Sequence, residues 1–473
     1  MEQGQDVFDV VVLGGGPAGE NVVERVVRGG LTAAVVESEL VGGECSYWAC
    51  VPSKALLRPV DVVAAARRSP GAAEAVTGPL HTDAALARRD EATSNHDDSG
   101  QVRWLAGLPA ELVRGHGRIA GARSVEVESN GSRRLTARHA VVVATGSRAA
   151  VPPVPGLVDA HPWTSREATS LRSVPRRLAV IGGGVVACEM SHAVRGLGAD
   201  EVTMLVRGTG LLGRLEPLAG EMVSAAFEDE GVSVRTGTGV TQVSRDADGP
   251  VTLSLSDGGT LEADEVLVAT GRRLNTDDVG LESVGLEAGR PVDVDDSLRA
   301  HGVDGGWLYA VGDANGRNLL THMGKYQARV CGDVIVARAR GETDDATGLR
   351  ATSDAAGAPQ VVFTDPEACA VGLTEAAARE QGHDVRVVEY EIGNVSGAYL
   401  QGEDYKGRAK AVVDESRRVL LGVTFIGPGV AELLHSATIA VTAEVPLDRL
   451  WHAVPAFPTV SEVWLRLLET YGM

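Results

Sequence analysis

Two stretches of the chain share one pattern, in which a short apolar run is followed by glycines and then by an apolar segment with helical spacing. Residues 8–19 read FDVVVLGGGPAG, and residues 177–187 read RLAVIGGGVVA. A similar phrase closes each stretch, VVVATGSR at residues 141–148 and VLVATGRR at residues 266–273. The pattern predicts two related domains of strand, glycine turn and helix, the second inserted after the first ATG phrase.

The remainder of the chain predicts a further buried strand and a separate C-terminal domain. LYAVGDANG at residues 308–316 is typical of a buried strand followed by an acidic turn, and residues 341–360 have the composition of a linker. From residue 361 the pattern changes to one of antiparallel strands and helices. The predicted strands are residues 409–413 and 419–426, and the predicted helices are residues 432–444 and 461–471.

The predicted fold class is α/β, with two Rossmann-like nucleotide-binding domains, one inserted in the other, and a C-terminal α+β domain. The expected boundaries are residues 1–150 and 273–345 for the first domain, 151–272 for the inserted domain, 346–360 for the linker and 361–473 for the C-terminal domain.

The charge balance restricts the partners. The 473 residues carry 44 Lys and Arg against 64 Asp and Glu, a formal net charge of −20. Such an acidic surface repels phosphate backbones and anionic lipids, which argues against nucleic acid and membrane binding. The apolar runs are shorter than the about 18 residues that cross a bilayer, and residues 1–9 lack the layout of a signal peptide. We expect a cytoplasmic protein.

The first glycine turn predicts a dinucleotide site. Gly14, Gly16 and Gly19 occupy the G-x-G-x-x-G positions, which allow a tight turn, approach of a pyrophosphate to the backbone, and close helix–strand packing. Glu37 ends the next apolar run, where a carboxylate can accept a hydrogen bond from a ribose hydroxyl. The alternative is a glycine turn with an incidental acidic residue.

The second turn predicts a nicotinamide nucleotide site with a preference for a phosphate. Gly182, Gly184 and Ala187 repeat the pattern, and the strand that follows ends in Arg207 where the first unit has Glu37. Arg214 lies seven residues further on. A guanidinium pairs with a phosphate that a carboxylate would repel, which favours NADPH, with NADH left open. The alternative is that Arg207 is a solvated surface residue.

Two of the five cysteines have a spacing that suggests chemistry. Cys188, Cys331 and Cys369 lie in segments of apolar or small residues and are interpreted as packing residues. Cys45 and Cys50 lie in GGECSYWACVPSK at residues 42–54. Five residues on a regular helix separate the Cα atoms by roughly 8.7 Å, whereas a disulfide needs at most about 7 Å.

A Cys45–Cys50 disulfide therefore requires a distorted segment at a helix start just before Pro52. A thiol at that helix start feels the helix dipole, which lowers its pKa. The alternative is two unrelated buried cysteines. Lys54, one of four lysines in the chain, could stabilise negative charge on a reduced flavin.

Taken together, these phrases resemble the pyridine nucleotide-disulfide oxidoreductases, which include dihydrolipoamide dehydrogenase, glutathione reductase and mercuric reductase. The matching phrases run in order along nearly the whole chain and continue through VVFTDPEACAVGLTE to FPTVSE. The resemblance implies bound FAD, with Gly14, Gly16, Gly19, Glu37 and Asp313 among its contacts. To the cofactor-binding residues we add Lys54 and, from the matching phrases, Thr145, Gly146, Gly182, Gly184, Gly271, Arg272 and Gly312.

The resemblance also implies roles in catalysis. Cys50 would lie against the flavin and Cys45 would face the substrate, while Lys54 and Glu189 would form an ion pair near the reactive nitrogen of the flavin. A homodimer is implied, in which the C-terminal dimerisation domain completes the active site of the partner. The expected path runs from NAD(P)H to FAD, to the Cys45–Cys50 disulfide, and on to a small thiol or disulfide substrate.

One position departs from the family pattern. Family members carry His-Pro-Thr-x-Ser-Glu near the C-terminus, whereas this chain has Phe457 in place of the histidine and keeps Glu462. Loss of a positioned acid/base costs about 10²–10⁴ in rate. The first interpretation keeps a dithiol or disulfide substrate, with a base from elsewhere or from the substrate. His452, five residues upstream, is a candidate, although its position favours a structural surface role.

Three other interpretations stay open. The acceptor could be a quinone, against which Phe457 would offer an aromatic wall. It could be a metal or another redox ion, although the C-terminal RLLETYGM lacks the paired cysteines of mercuric reductases, and we predict no resident metal. The protein could also be a non-catalytic flavin-binding subunit. Tyr47 and Trp48, between the cysteines, would either narrow the substrate approach or pack beneath the first domain.

Overall fold

The computed structural model describes residues 6–129, 131–247, 249–343 and 346–473. Two compact units form, each from three chain segments. The first comprises the chain up to Val51, Asp90–Arg148 and Arg272–Asp354; the second comprises Pro52–Arg89, Ala149–Gly271 and Ala355–Met473. The start of the predicted first domain, residues 1–5, lies outside the described residues, as do residues 344 and 345 at its end.

The first unit is built on a sheet whose centre is parallel. Strand Val7–Leu13 pairs in parallel with Ala33–Glu37 on one side and with Gly131–Val143 on the other. These runs of Val and Ala are buried almost completely, as expected for parallel strands covered on both faces. The sheet is completed by Ala110–Arg114, Ser124–Ser129, His116–Ile119 and Leu308–Ala310.

Two helices of the first unit pack closely along each other. Helix Pro17–Arg28 contacts Thr321–Ala339, where a Cβ at Gly332 would come within 2.6 Å of the Arg25 Cβ. The Arg25 guanidinium donates to the Asp333 carboxylate at 2.8 Å. The other helices in its segments are Gly43–Tyr47 and Ser99–Ala106, and Cys50–Arg68 begins there.

The second unit contains the inserted nucleotide-binding sheet. Four parallel strands stand in the order Val232–Thr236, Glu201–Val206, Arg177–Ile181 and Glu265–Val268, beside an antiparallel sheet of Val240–Arg245, Val251–Leu255 and Thr260–Ala263. Its helices are Thr82–Ala92, Ser165–Thr169, Val185–Gly196 and Pro217–Asp229. Both predicted arrangements of strand, glycine turn and helix are confirmed.

The C-terminal part of the second unit is a five-stranded antiparallel sheet with helices. The strands run in the order Gln360–Val362, Glu367–Gly372, Val419–Gly427, Arg408–Asp414 and Val385–Glu391. The helices are Glu375–Glu380, Ser396–Tyr399, Leu434–Thr442, Leu447–Leu450 and Val463–Tyr471. The two predicted strands and two predicted helices are confirmed, with ends that differ by a few residues.

Among the described residues, every helix is too short or too polar to cross a lipid bilayer.

Candidate active site

The backbone geometry of the first turn requires glycine at two of the three predicted positions, Gly14 and Gly19. Gly14 has a φ of +102°, and a Cβ there would lie 2.4 Å from the Ala144 carbonyl oxygen. A Cβ at Gly19 would lie 2.0 Å from the Gly14 carbonyl oxygen. Gly16 precedes helix Pro17–Arg28 without a side-chain cap. The helix start thus presents backbone N–H groups that suit an anionic ligand.

Glu37 lies beside this turn. Its carboxylate accepts the backbone N–H of Gly15 and that of Glu39, both at 2.7 Å. These two bonds fix the carboxylate at the carboxyl end of its strand, where ligands bind in open α/β sheets. Each oxygen retains capacity for a further donor, such as a ribose hydroxyl.

A polar cluster lies between the predicted cofactor contacts Asp313 and Arg272. Ser147 donates to the Asp313 carboxylate at 2.5 Å, and the Arg272 guanidinium donates to the Ser147 hydroxyl and carbonyl, both at 2.6 Å. Arg272 also lies 3.8 Å from the carboxylate of Glu44. Sequence reasoning missed Ser147, although it stands in the quoted ATGS phrase.

The remaining predicted contacts of the first unit lie in two turns. Thr145 donates to the Asn275 carbonyl at 2.7 Å, and Gly146 has a φ of +68°. Gly312 has a φ of +66°, and its N–H donates to the buried Gln327 side chain at 2.8 Å. Both turns are therefore held by the protein itself and can present backbone groups to a ligand.

The two cysteines stand at a break between helices. Helix Gly43–Tyr47 ends before Trp48, and the next helix begins at Cys50. The predicted distortion before Pro52 is confirmed. Both cysteines are free, half-buried thiols that hydrogen-bond to each other. Cys50 Sγ lies 3.3 Å from Thr321 Oγ1, a partner that sequence reasoning missed because it is far along the chain.

The shared hydrogen bond decides which thiol keeps its proton. The bond to Cys50 raises the pKa of Cys45, and burial adds to the effect, while the charge of Lys325 opposes it. The helix N-terminus belongs to Cys50, so that sulfur is the one placed to carry negative charge.

A cluster of aromatic rings packs at the break between helices Gly43–Tyr47 and Cys50–Arg68. The Trp48 ring lies 5.6 Å from Tyr47 and 5.7 Å from His96, measured between centroids. Tyr47 is fully buried, and its hydroxyl donates to the Val41 carbonyl at 3.1 Å. His96 follows two other residues with positive φ and has a buried Nε2 without a partner among the described residues. The aromatic pair therefore packs within the first unit.

In the second unit, the predicted Lys54–Glu189 pair forms. Lys54 Nζ donates to Glu189 Oε2 at 2.7 Å, and the other carboxylate oxygen accepts the Phe363 N–H at 3.1 Å. The ammonium also lies 4.8 Å from the centroid of the Phe363 ring. Glu189 is buried and Lys54 is partly exposed, so the carboxylate fixes the direction of the ammonium.

The second glycine turn repeats the geometry of the first. A Cβ at Gly182 would lie 2.3 Å from the Ala269 carbonyl oxygen, and Gly184 precedes helix Val185–Gly196 without a side-chain cap. Ala187 is fully buried in that helix, and Gly271 has a φ of +141°. This turn also suits an anionic ligand.

Arg207 and Arg214 are exposed near this second turn. Arg207 directly follows strand Glu201–Val206, at its carboxyl end. Neither guanidinium forms a hydrogen bond or ion pair with another residue in the part of the chain that the structure describes. Both charges are available to an external anion.

The C-terminal motif has an exposed apolar side chain and a buried acid. Phe457 is 75% exposed, so it packs little against its own chain. Glu462 is 7% exposed, and its Oε2 has no hydrogen-bond partner among the described residues. His452 is exposed. The residue that would orient the missing imidazole thus keeps a vacant acceptor oxygen.

Comparison with known proteins adds family matches over both parts of the chain. The pyridine nucleotide-disulphide oxidoreductase family matches residues 8–337, and its dimerisation domain matches residues 358–467. Mercuric reductase of Acidithiobacillus ferrooxidans is 33% identical over 466 residues, which cover 97% of this chain and 81% of the relative. Dihydrolipoyl dehydrogenase of Chlamydia muridarum is 29% identical over 464 residues, which cover 97% and 96%.

Among solved structures, the HOCl-induced flavoprotein disulfide reductase RclA of Escherichia coli is similar in fold. Its TM-score is 0.82 at 23% identity, with 98% of this chain and 99% of that chain covered. Its Cu(II) complex gives a TM-score of 0.84 at the same identity.

Proposed function

The chain belongs to the pyridine nucleotide-disulphide oxidoreductase family, and we propose that it passes electrons from NADPH through FAD and the Cys45–Cys50 pair to a small disulfide. The family is FAD-dependent and uses NAD(P)H as donor, and the dimerisation domain supports a homodimer. The choice of NADPH, the disulfide substrate and the roles of single residues are the proposed part.

The residues of the first unit fit FAD. The uncapped helix start after Gly16 suits the pyrophosphate, and Glu37 stands where a ribose hydroxyl would donate. Asp313, fixed by Ser147, would hold a further polar group of the cofactor. When bound, FAD accepts hydride from the nicotinamide and delivers an electron pair to the disulfide.

The chain's own groups would manage the sulfur chemistry. Thr321 stands beside Cys50 Sγ at 3.3 Å and can donate to a thiolate there. The proton stays on Cys45 until substrate exchange begins, because the hydrogen bond between the two thiols raises the pKa of Cys45. Glu189 holds Lys54, whose ammonium would oppose negative charge as the cofactor is reduced.

The observation that carries the proposal is the helix break that lets the two thiols hydrogen-bond to each other. Anaerobic titration of the holoprotein with NADPH tests it. The wild type should accept two electron pairs per flavin, one of them held as the dithiol, and Cys50→Ser should accept one. The matched control is Cys331→Ala, at a buried cysteine, which should behave as wild type. A wild type that accepts one pair contradicts the proposal.

Phe457 favours a second acceptor class. Its exposed ring cannot move a proton but can stack on a quinone. Turnover of quinones, lipoamide and glutathione disulfide with NADPH separates the two classes. Fast quinone turnover that survives Cys50→Ser, together with negligible disulfide turnover, would replace the disulfide proposal with an NADPH:quinone reductase.

A further inference from the structure

Cys45 must become a thiolate to attack a disulfide, and Phe457 cannot stabilise that charge. Some other group of the chain has to supply a positive charge near this sulfur. The surroundings of Cys45 in the first unit contain Cys50, Thr321 and Lys325. Lys325 is the cation among them, and its charge opposes the rise in the pKa of Cys45.

Lys325 stands on the helix that contacts the cysteines. Helix Thr321–Ala339 begins at Thr321, whose hydroxyl lies 3.3 Å from Cys50 Sγ. Lys325 follows four residues later, and residues at this spacing share one face of a helix. Lys325 therefore stands on the face of the helix that carries Thr321, one turn after it.

The start of a second helix, Pro17–Arg28, packs against the start of helix Thr321–Ala339 and contains an acidic residue, Glu20. Ala18 and Gly312 pack against Gly324, where a Cβ would lie 3.2 Å from Gly312 Cα and 3.6 Å from Ala18 Cβ. Glu20 follows Ala18 by two residues in the first turn of helix Pro17–Arg28, and Lys325 follows Gly324, so the two charged residues flank this contact between the helices. The two charges act on each other.

We propose that Lys325 is the positioning residue that stabilises the Cys45 thiolate, and that Glu20 sets how much of its charge reaches the sulfur. The inference rests on the proposed role of Cys45 in disulfide reduction. Lys325 forms no ion pair within the described residues, so its charge is not already neutralised by direct contact.

The thiol–disulfide exchange needs only the reduced cysteine pair, the substrate disulfide and protons from solvent. The Cys45 thiolate attacks one sulfur of the substrate disulfide, the new sulfur–sulfur bond forms, and the released thiolate takes a proton from solvent. The Cys50 thiolate then attacks Cys45 Sγ and releases the second substrate thiolate. The electron pair supplied by NADPH leaves with the two substrate thiols. Lys325 stays charged throughout and transfers no proton.

Glu20 makes the net positive charge that acts on Cys45 dependent on pH. Burial, opposed by Lys325 and assisted by the charge of Glu37, raises the pKa of Glu20 to about 7. Below that value Glu20 is neutral and the full charge of Lys325 acts on Cys45. Above it the Glu20 carboxylate offsets Lys325. Burial raises the pKa of the nearby Tyr47 to about 12, with the charges of Asp98 and Glu20 adding to the effect, so its phenol stays neutral.

Alkylation of Cys45 tests the proposal on the full-length holoprotein. The protein is reduced with NADPH, treated with iodoacetamide from pH 5 to 9, and the Cys45 peptide is quantified by mass spectrometry. Lys325→Met should slow alkylation at pH 7 by about tenfold, the effect of one pKa unit on thiolate content. Lys325→Arg should restore most of the rate. Lys406→Met, at an exposed lysine of the second unit, is the matched control.

Glu20→Gln supplies an independent arm that does not depend on the folding of the lysine variant. The wild-type profile should show an inflection near pH 7, and Glu20→Gln should remove it and speed alkylation above that pH. Unchanged profiles in Lys325→Met and Glu20→Gln would overturn the proposal. Loss of FAD from Lys325→Met with an unchanged Cys45 profile would also overturn it, since Lys325 would then be a cofactor contact. Failure of the disulfide function itself would show separately, in the NADPH titration of the wild type.

Discussion

Lys54 Nζ lies 2.7 Å from Glu189 Oε2, in a pair whose carboxylate is buried and whose ammonium is partly exposed. Glu189→Gln keeps the shape but removes the charge, so Lys54 loses its orientation. We expect a loss of about 1.5–3 kcal/mol in the free energy of unfolding, the range for a hydrogen bond to a charged group. Urea unfolding of Glu189→Gln, Lys54→Met and the double variant would measure the coupling. Additive losses would contradict a specific pair.

Arg207 and Arg214 should decide the choice of nicotinamide. Replacing both with Ala removes two free guanidiniums, and we expect KM for NADPH to rise by about tenfold or more, with KM for NADH nearly unchanged. Steady-state kinetics with both nucleotides would measure the difference. Arg176→Ala is the matched control, because Arg176 is exposed, precedes strand Arg177–Ile181, and pairs with Asp200. Equal effects on NADPH and NADH would argue against phosphate recognition.

Phe457→His should recover thiol–disulfide chemistry. The vacant Oε2 of Glu462 is the acceptor that an imidazole N–H would need, and restoring a positioned acid/base is worth about 10²–10⁴ in rate. Turnover of lipoamide and glutathione disulfide would be compared for Phe457→His and Phe457→Leu. The leucine variant controls for loss of the ring. If the turnover of neither substrate rises in Phe457→His, the site no longer accommodates an imidazole.

His192 should make stability fall at alkaline pH. Burial lowers the pKa of His192, but the carboxylates of Asp61 and Glu230 at 3.2 and 3.1 Å outweigh it and raise the pKa to about 10. Since the folded pKa lies above the usual value of 6.5, the charged form stabilises the fold fully below pH 6.5 and progressively less up to about pH 10.

The corresponding measurement is the free energy of unfolding of wild type and His192→Asn at several pH values. The difference between them should be largest near pH 6 and shrink steadily as the pH approaches 10. A difference that grows with pH would show that the histidine is neutral in the folded protein.

Local sequence signals predicted much of the fold. The turns at Gly14 and Gly182 could be located from a few neighbouring residues, because the positive φ and the close backbone contacts there require glycine. The predicted break between Cys45 and Cys50 follows from helix geometry together with the requirement that the two sulfurs be able to pair. These features depend on neighbours in the chain, which a sequence displays directly.

The missed features depend on residues far apart in the chain. Thr321 reaches Cys50 from 271 residues away, and no local pattern marks a threonine as a sulfur contact. Lys325 and Glu20 stand on two helices that pack closely through small residues, a relationship between surfaces that sequence spacing does not display. The rise in the pKa of Cys45 likewise depends on its hydrogen bond to Cys50 and on burial, which the spacing of the two cysteines does not display.

The three-segment construction of the first unit has a consequence for synthesis on the ribosome. Strand Leu308–Ala310 and helix Thr321–Ala339 complete its sheet and its sulfur contact, yet they are made after the whole nucleotide-binding insertion. Until most of the polypeptide has emerged, a nascent chain therefore lacks the partner strand for Val141–Val143 and the helix that packs against Pro17–Arg28. We therefore expect chains truncated before residue 308 to expose apolar surface of the first unit and to aggregate more readily than the full-length chain.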